Sequence, residues 1–215
     1  MRNVTRPATP PSLANNAARW TRELLDGLGR GANADKKRLK SLYGKYAQSD
    51  VKSALKRMYN KLCCYCESRI ENVTVSNIEH RKPKSKDKFP ECTFEWTNLH
   101  LVCPNCNRFK SDQWDPINPI LDAETDVPIS ADLSYRSFYR YPLSDRGKTT
   151  RDHAQLNRDD LIEAREEIYW HCMDIIEEFK NNPNAPGSDI AEIKLSQLSK
   201  GQYGSLIEYL RKTYL

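Results

Sequence analysis

The 215-residue sequence contains no apolar run approaching the roughly 18 residues that a membrane-spanning helix needs. Its first twelve residues carry Arg2 and Arg6 with no apolar core behind them, so no secretory signal is expected. There is no internal repeat, no long low-complexity tract and no nucleotide-binding loop. Hydrophobic residues make up 38% and charged residues 29%, a soluble composition on the polar side, and the expected compartment is the cytoplasm. Without an export signal, disulfides are not expected of the seven cysteines, and metal ligation is the better default.

The net charge of +5 is unevenly spread. Nine Lys or Arg face one acid, Asp50, between Lys36 and Lys61, and five face Asp87 between Arg81 and Lys88. Between Asp159 and Lys180 the balance reverses, with eight acids against two bases. Any one such run is ordinarily a solvated face, but two basic runs beside a candidate site fit polyanion binding.

Residues 1–16, centred on Pro10 and Pro11, read as an extended arm that does not fold alone. Residues 17–62 read as helices: Arg19–Leu28, stopped by Gly27, Gly29 and Gly31; Lys36–Tyr46, with Leu39, Leu42, Tyr43 and Tyr46 on one face; and a third from Ser49 to about Leu62. Residues 63–115 change character, with short strands predicted at Val73–Ile78 and Leu99–Val102 and a helix from about Pro104–Asn107. Residues 116–215 begin with proline-rich loops and short strands. A long helix then runs from an Asn157 cap to about Lys180, followed by Asp189–Leu198 and Leu206–Tyr214. The fold class is α+β, with the C-terminal region and residues 63–115 expected to form one compact domain.

Cys63 and Cys66, and Cys103 and Cys106, form two Cys-x2-Cys knuckles, the spacing that tetrahedral zinc requires. Four thiolates fill the shell, so this zinc is expected to be structural. Two unrelated buried pairs are the alternative. Cys64 lies between ligands and could compete for a place; Cys92 and Cys172 read as small buried thiols.

Between the knuckles stand Glu79-His80-Arg81 and Trp96-Thr97-Asn98-Leu99, and Asn107-Arg108-Phe109-Lys110 follows the last cysteine. This order resembles the HNH endonucleases of the ββα-metal class. The resemblance implies His80 as the general base, Glu79 and Asn107 as ligands of a catalytic Mg²⁺ or Mn²⁺, and Asn98 as the residue that steadies the loop carrying His80. Arg81, Lys82, Lys84, Lys86, Arg108 and Lys110 are expected to meet phosphate. The chemistry suits these types. An imidazole can take a water's proton near neutral pH, and hard cations prefer oxygen ligands. Two departures stand out. Asn107 replaces the last His of the usual pattern, and Glu79 is a methylene longer than the usual Asp. Residues 79 and 80 of a regular strand also point to opposite faces, so they share a site only if the strand bends or ends there. His100, His153 and His171 read as structural, and Phe94 and Trp96 as core.

The longer string, IEHRKPKS at 78–85, 89–114 from Phe89 to Trp114, and DPINPI at 115–120, is similar to the PtuB-type HNH proteins of anti-phage defence. That resemblance implies a multimeric PtuA-like ATPase partner, as in Septu systems. In retron-linked systems it implies also a reverse transcriptase with its RNA–DNA, and a DNA or tRNA target. Two alternatives remain: a non-catalytic zinc-knuckle module that binds nucleic acid, and a free-standing restriction or repair nuclease.

Overall fold

The computed structural model describes residues 1–70, 77–181 and 189–215, and the first part of the predicted Val73–Ile78 strand lies outside them. The chain divides into two compact units. One comprises Val4–Leu62 and Ile70–Pro116; the other comprises Met1–Asn3, Cys63–Arg69 and Ile117–Leu215.

The first unit opens with helix α1, Pro11–Gly29. Proline at the first helical position suits a start there, because its missing N–H would lack a partner anyway. Asp50, in the first turn of α3 (Ser49–Met58), accepts hydrogen bonds from the Ser12 N–H at 2.9 Å and the Ser12 hydroxyl at 2.7 Å. The arm is thus not a free extension. Leu13 is buried, Arg6 donates to the carbonyls of Trp96 and Leu99, and the Trp96 indole donates to the Pro7 carbonyl at 3.0 Å. Counting apolar residues missed this, because polar and backbone contacts anchor the arm. Gly27 does not stop α1. A Cβ there would stand 2.8 Å from Leu39 Cδ2, so glycine lets α1 approach α2, Lys36–Tyr43. Asp35 caps α2 by accepting from the Arg38 N–H.

Strands β1 (Asn77–His80) and β2 (Leu99–Val102) pair antiparallel, with Glu79 opposite His100 and His80 opposite Leu99. Helix α4, Pro104–Lys110, packs on β1. Trp20 of α1 stacks at 5.6 Å on Phe94, in a single-turn helix before β2, and both are buried.

In the second unit β3 (Leu133–Arg136) and β4 (Tyr139–Pro142) form an antiparallel hairpin. Helices α5 (Asp145–His153), α6 (Asp159–Asn181), α7 (Asp189–Leu198) and α8 (Gly204–Tyr214) follow. Helix α5 is absent from the sequence reading. Its first turn passes so close to β3 that a Cβ on Gly147 would sit 1.9 Å from the Asp132 carbonyl. Asn157 is not the cap of α6 but pairs with the Arg140 backbone through both its amide atoms. Leu161, Cys172, Ile175 and Ile176 line the buried face of α6, while Glu163, Glu167, Asp174 and Glu177 are exposed. Among the described residues, no helix is long and apolar enough to cross a membrane.

Candidate active site and metal centre

Strand β1 ends at His80 because its backbone is taken over by Asn98. The Asn98 side-chain oxygen accepts from the Lys82 N–H at 2.7 Å. Its amide donates to the carbonyls of Lys82 at 3.0 Å and Cys92 at 3.1 Å. All four residues of β1, Glu79 and His80 among them, line one cleft of about 670 Å³, with Tyr43, Tyr46, Lys84, Ser85, Asn107 and Arg108 among its other walls.

His80 is 5% exposed. Its Nε2 lies 2.9 Å from the carbonyl oxygen of Thr93. A carbonyl can only accept, so Nε2 carries the proton and, in the neutral ring, Nδ1 keeps the lone pair. Nδ1 stands 3.4 Å from Lys84 Nζ, and the Tyr46 ring meets the imidazole edge-on with centroids 4.4 Å apart. Burial, reinforced by the Lys84 charge and opposed by the Thr93 hydrogen bond, pushes the imidazole down to about 3, so it is neutral at physiological pH.

Glu79 is buried and ion-paired with Lys110 Nζ at 2.6 Å. Burial pushes its carboxyl above the ordinary value, and the Lys110 ammonium opposes the shift. Lys110 also donates to the His80 carbonyl at 3.1 Å. It is 0% exposed, so the expectation that it meets phosphate does not fit its position. Its chain turns inward from the last turn of α4 to serve as counter-ion under the site.

Asn107, in the first turns of α4, faces the same cleft, and Arg108 is exposed at its edge. The Arg81 guanidinium lies over the Trp114 ring at 5.7 Å, Lys82 Nζ lies 5.8 Å from the Phe89 ring, and Lys86 is exposed. His100 is part of the core: its Nδ1 is 2.6 Å from the Tyr59 hydroxyl.

The Sγ atoms of Cys63, Cys66, Cys103 and Cys106 all lie within 4.8 Å of one another. Zn–S bonds of about 2.3 Å in a tetrahedron give S–S edges of about 3.8 Å, so the donor set fits a zinc ion in both chemistry and spacing. Cys103 also caps α4, its sulfur accepting the Cys106 N–H at 3.5 Å. Cys64 is buried outside this group. The Cys66 sulfur is 3.3 Å from the Ser68 hydroxyl, which bonds the Tyr203 hydroxyl at 2.9 Å.

The next residue, Glu67, is buried among charges that the sequence did not reveal. Arg140 reaches it at 2.8 Å, Arg2 at 2.8 and 3.0 Å, the Ser205 N–H at 3.0 Å, and the Met1 amino group pairs with it as well. Burial raises the Glu67 carboxyl, but the Met1 ammonium, Arg140 and Arg2 outweigh it and hold the group far below the usual carboxylate range. Sequence reading also missed Tyr46, read only as a helix-face residue, and the Thr93 carbonyl, which carries no side-chain signal.

Two short antiparallel strands and a helix, a buried imidazole in an acid-His pair, an Asn clamp and a four-thiolate knuckle define an HNH endonuclease, a hydrolase of phosphodiesters. The HNH endonuclease family matches residues 63–113. The chain is also 31% identical over 199 residues to the Septu protein PtuB of Bacillus thuringiensis, covering 87% of this chain and 70% of that one. It is 34% identical over 83 residues to the Septu protein PtuB of Bacillus mycoides (strain KBAB4), covering 34% of this chain and 28% of that one. The chain belongs to the PtuB family of Septu proteins.

Proposed function

We propose that this chain is a metal-dependent endonuclease of bacterial anti-phage defence that works with a PtuA-like ATPase. DNA is its leading substrate, with tRNA the alternative where a retron reverse transcriptase and its RNA–DNA accompany it. The observation that carries the catalytic reading is the Thr93 carbonyl on His80 Nε2. It fixes the tautomer and makes Nδ1 the nitrogen that can take a water's proton. Asn98 holds the segment after His80 and acts as a positioning residue. Glu79 and Asn107 offer a carboxylate and an amide oxygen to one cleft, a donor pair suited to Mg²⁺ or Mn²⁺. A bound divalent cation would supply charge for the phosphate and the leaving oxygen. Glu79 would share its charge between that cation and Lys110. Zinc held by the four cysteines has no open position and serves the fold.

Lys84 and Arg108 line the cleft, and with Arg81, Lys82 and Lys86, their neighbours in sequence, they offer cations for the nucleic-acid backbone. The acidic outer face of α6 repels nucleic acid and is the better candidate for the ATPase. His80→Ala should abolish Mg²⁺-dependent cleavage of DNA and tRNA, tested with and without the ATPase, while zinc content and nucleic-acid affinity persist. Because a general base contributes roughly 10²–10⁴-fold, activity within about tenfold of wild type would place the base elsewhere. Unaltered binding with no cleavage by the wild-type chain would support a non-catalytic zinc-knuckle module. Full activity without any partner would support a free-standing nuclease.

A further inference from the structure

The cleft contains two ammonium groups near His80, and they differ in one respect. The Lys110 charge is taken by Glu79. Among the described residues, no carboxylate forms an ion pair with Lys84. Its Nζ lies 3.4 Å from His80 Nδ1 and 3.5 Å from the Tyr46 hydroxyl, above the Tyr46 ring at 4.8 Å. The neighbouring Ser85 hydroxyl oxygen is buried and has no hydrogen-bond partner. A buried hydroxyl without an acceptor costs free energy, and a half-buried ammonium that only feels the Glu79 carboxylate at longer range gains from an anion in direct contact. One oxyanion between them meets both.

We propose that Tyr46, Lys84 and Ser85 form an oxyanion-binding corner that receives a non-bridging oxygen of the scissile phosphodiester beside His80. This rests on the reading of His80 as the general base. The distances suit it. A phosphate oxygen about 2.8 Å from Lys84 Nζ would leave room for one water between phosphorus and Nδ1, the arrangement that in-line attack needs. The corner also couples binding to reactivity. In the free protein a Lys84 N–H points at the Nδ1 lone pair. A phosphate oxygen is the stronger acceptor and draws that N–H away, which frees Nδ1 for the water. The water oxygen then forms the new P–O bond and its proton passes to Nδ1. The opposite P–O bond breaks with its electron pair on the leaving oxygen, which takes a proton from bulk water. The divalent cation of the proposed function is the only co-reactant. Lys84 and Ser85 would touch substrate. Tyr46 is a positioning residue that supports the imidazole with its ring and the ammonium with its hydroxyl. It lies in the turn after α2, before the matched HNH segment, 63–113, so the chain that precedes the module helps complete the site.

Steady-state cleavage of plasmid DNA with Mg²⁺, with and without the ATPase, tests the corner. Lys84→Ala should lower kcat by about 100-fold, as loss of one preorganised oxyanion donor does, with KM, zinc content and melting temperature nearly unchanged. Lys84→Arg should recover about tenfold of that loss, and Ser85→Ala and Tyr46→Phe should each lower kcat by about tenfold. The Mg²⁺ concentration for half-maximal rate should stay the same in all four. Lys84→Ala with a wild-type kcat, or with a change in KM alone, beside an inactive His80→Ala overturns the corner and leaves the base in place. An active His80→Ala, or a wild-type chain that cuts no DNA under either condition, overturns both.

Discussion

Replacing Asn98 by Ala isolates the device that fixes the loop after His80. The change removes three hydrogen bonds, to the Lys82 N–H, the Lys82 carbonyl and the Cys92 carbonyl, at a residue 5% exposed. A buried hydrogen bond contributes about 1 kcal/mol net, and each orphaned backbone group costs about 1–3 kcal/mol, so a loss of about 3 kcal/mol is expected. Asn98→Asp keeps the acceptor for Lys82 N–H but turns a carboxylate towards two carbonyls, so it should be no more stable than the Ala variant at pH 7. Urea unfolding under saturating zinc measures the loss, and amide hydrogen exchange locates it. The Lys82 N–H should exchange markedly faster in both variants. Cleavage should fall by about 100-fold, because a shift of about 1 Å in a reacting group is enough for that. A loss below about 1 kcal/mol with unchanged exchange at Lys82 would refute the clamp.

Cys66→Ser or Cys103→Ser should reduce bound zinc from about one ion per chain to near none and lower the melting temperature, read by metal analysis and calorimetry; full retention in both would overturn the site. Burial, followed by the charges of Arg6 and Arg81, holds the His100 imidazole well below its ordinary value of 6.5. The unfolded chain therefore binds the extra proton below pH 6.5, and stability falls as pH drops through that window. Glu67 acts only below about pH 4.5, where unfolded carboxyls protonate, so unfolding at pH 7, 6 and 5 should separate wild type from a flatter His100→Gln. An identical slope in the two proteins would contradict the assignment. Leu13→Ala should cost about 3 kcal/mol, since the residue is 1% exposed, whereas an unfolded arm predicts no change in melting.

The sequence was most legible where one residue type allows one role. The Cys-x2-Cys pairs could be read from spacing and α6 from its apolar stripe, whereas the parts given to Glu79, His80, Asn98 and Asn107 came from the resemblance to HNH endonucleases. What escaped shares a different cause. The Thr93 carbonyl, the inward turn of Lys110 and the placement of Tyr46 beside His80 depend on how the chain crosses itself. A lysine reads as solvated until burial is known, and a backbone carbonyl has no letter in the sequence. Helix α5 escaped because its sequence is almost wholly polar, with Gly147 and Thr150 as its buried residues. The arm escaped because Arg6 and Trp96 hold it through backbone carbonyls.

Glu67 also sets an order on synthesis. It follows Cys66 directly, yet Arg140 is 73 residues later and Ser205 is 138 residues later. Met1 and Arg2 precede Glu67 and can pair with it early, but the full set of groups around its carboxylate closes only when Arg140 and Ser205 have been translated. Tyr203, whose hydroxyl bonds Ser68 beside the Cys66 sulfur, is made just before Ser205. The turn that carries Cys63 and Cys66 therefore completes its contacts only after Tyr203 and Ser205 have been added. A ribosome-bound chain that has already exposed Glu79 and His80 still has this turn unfinished, because Tyr203 and Ser205 emerge more than 120 residues after them.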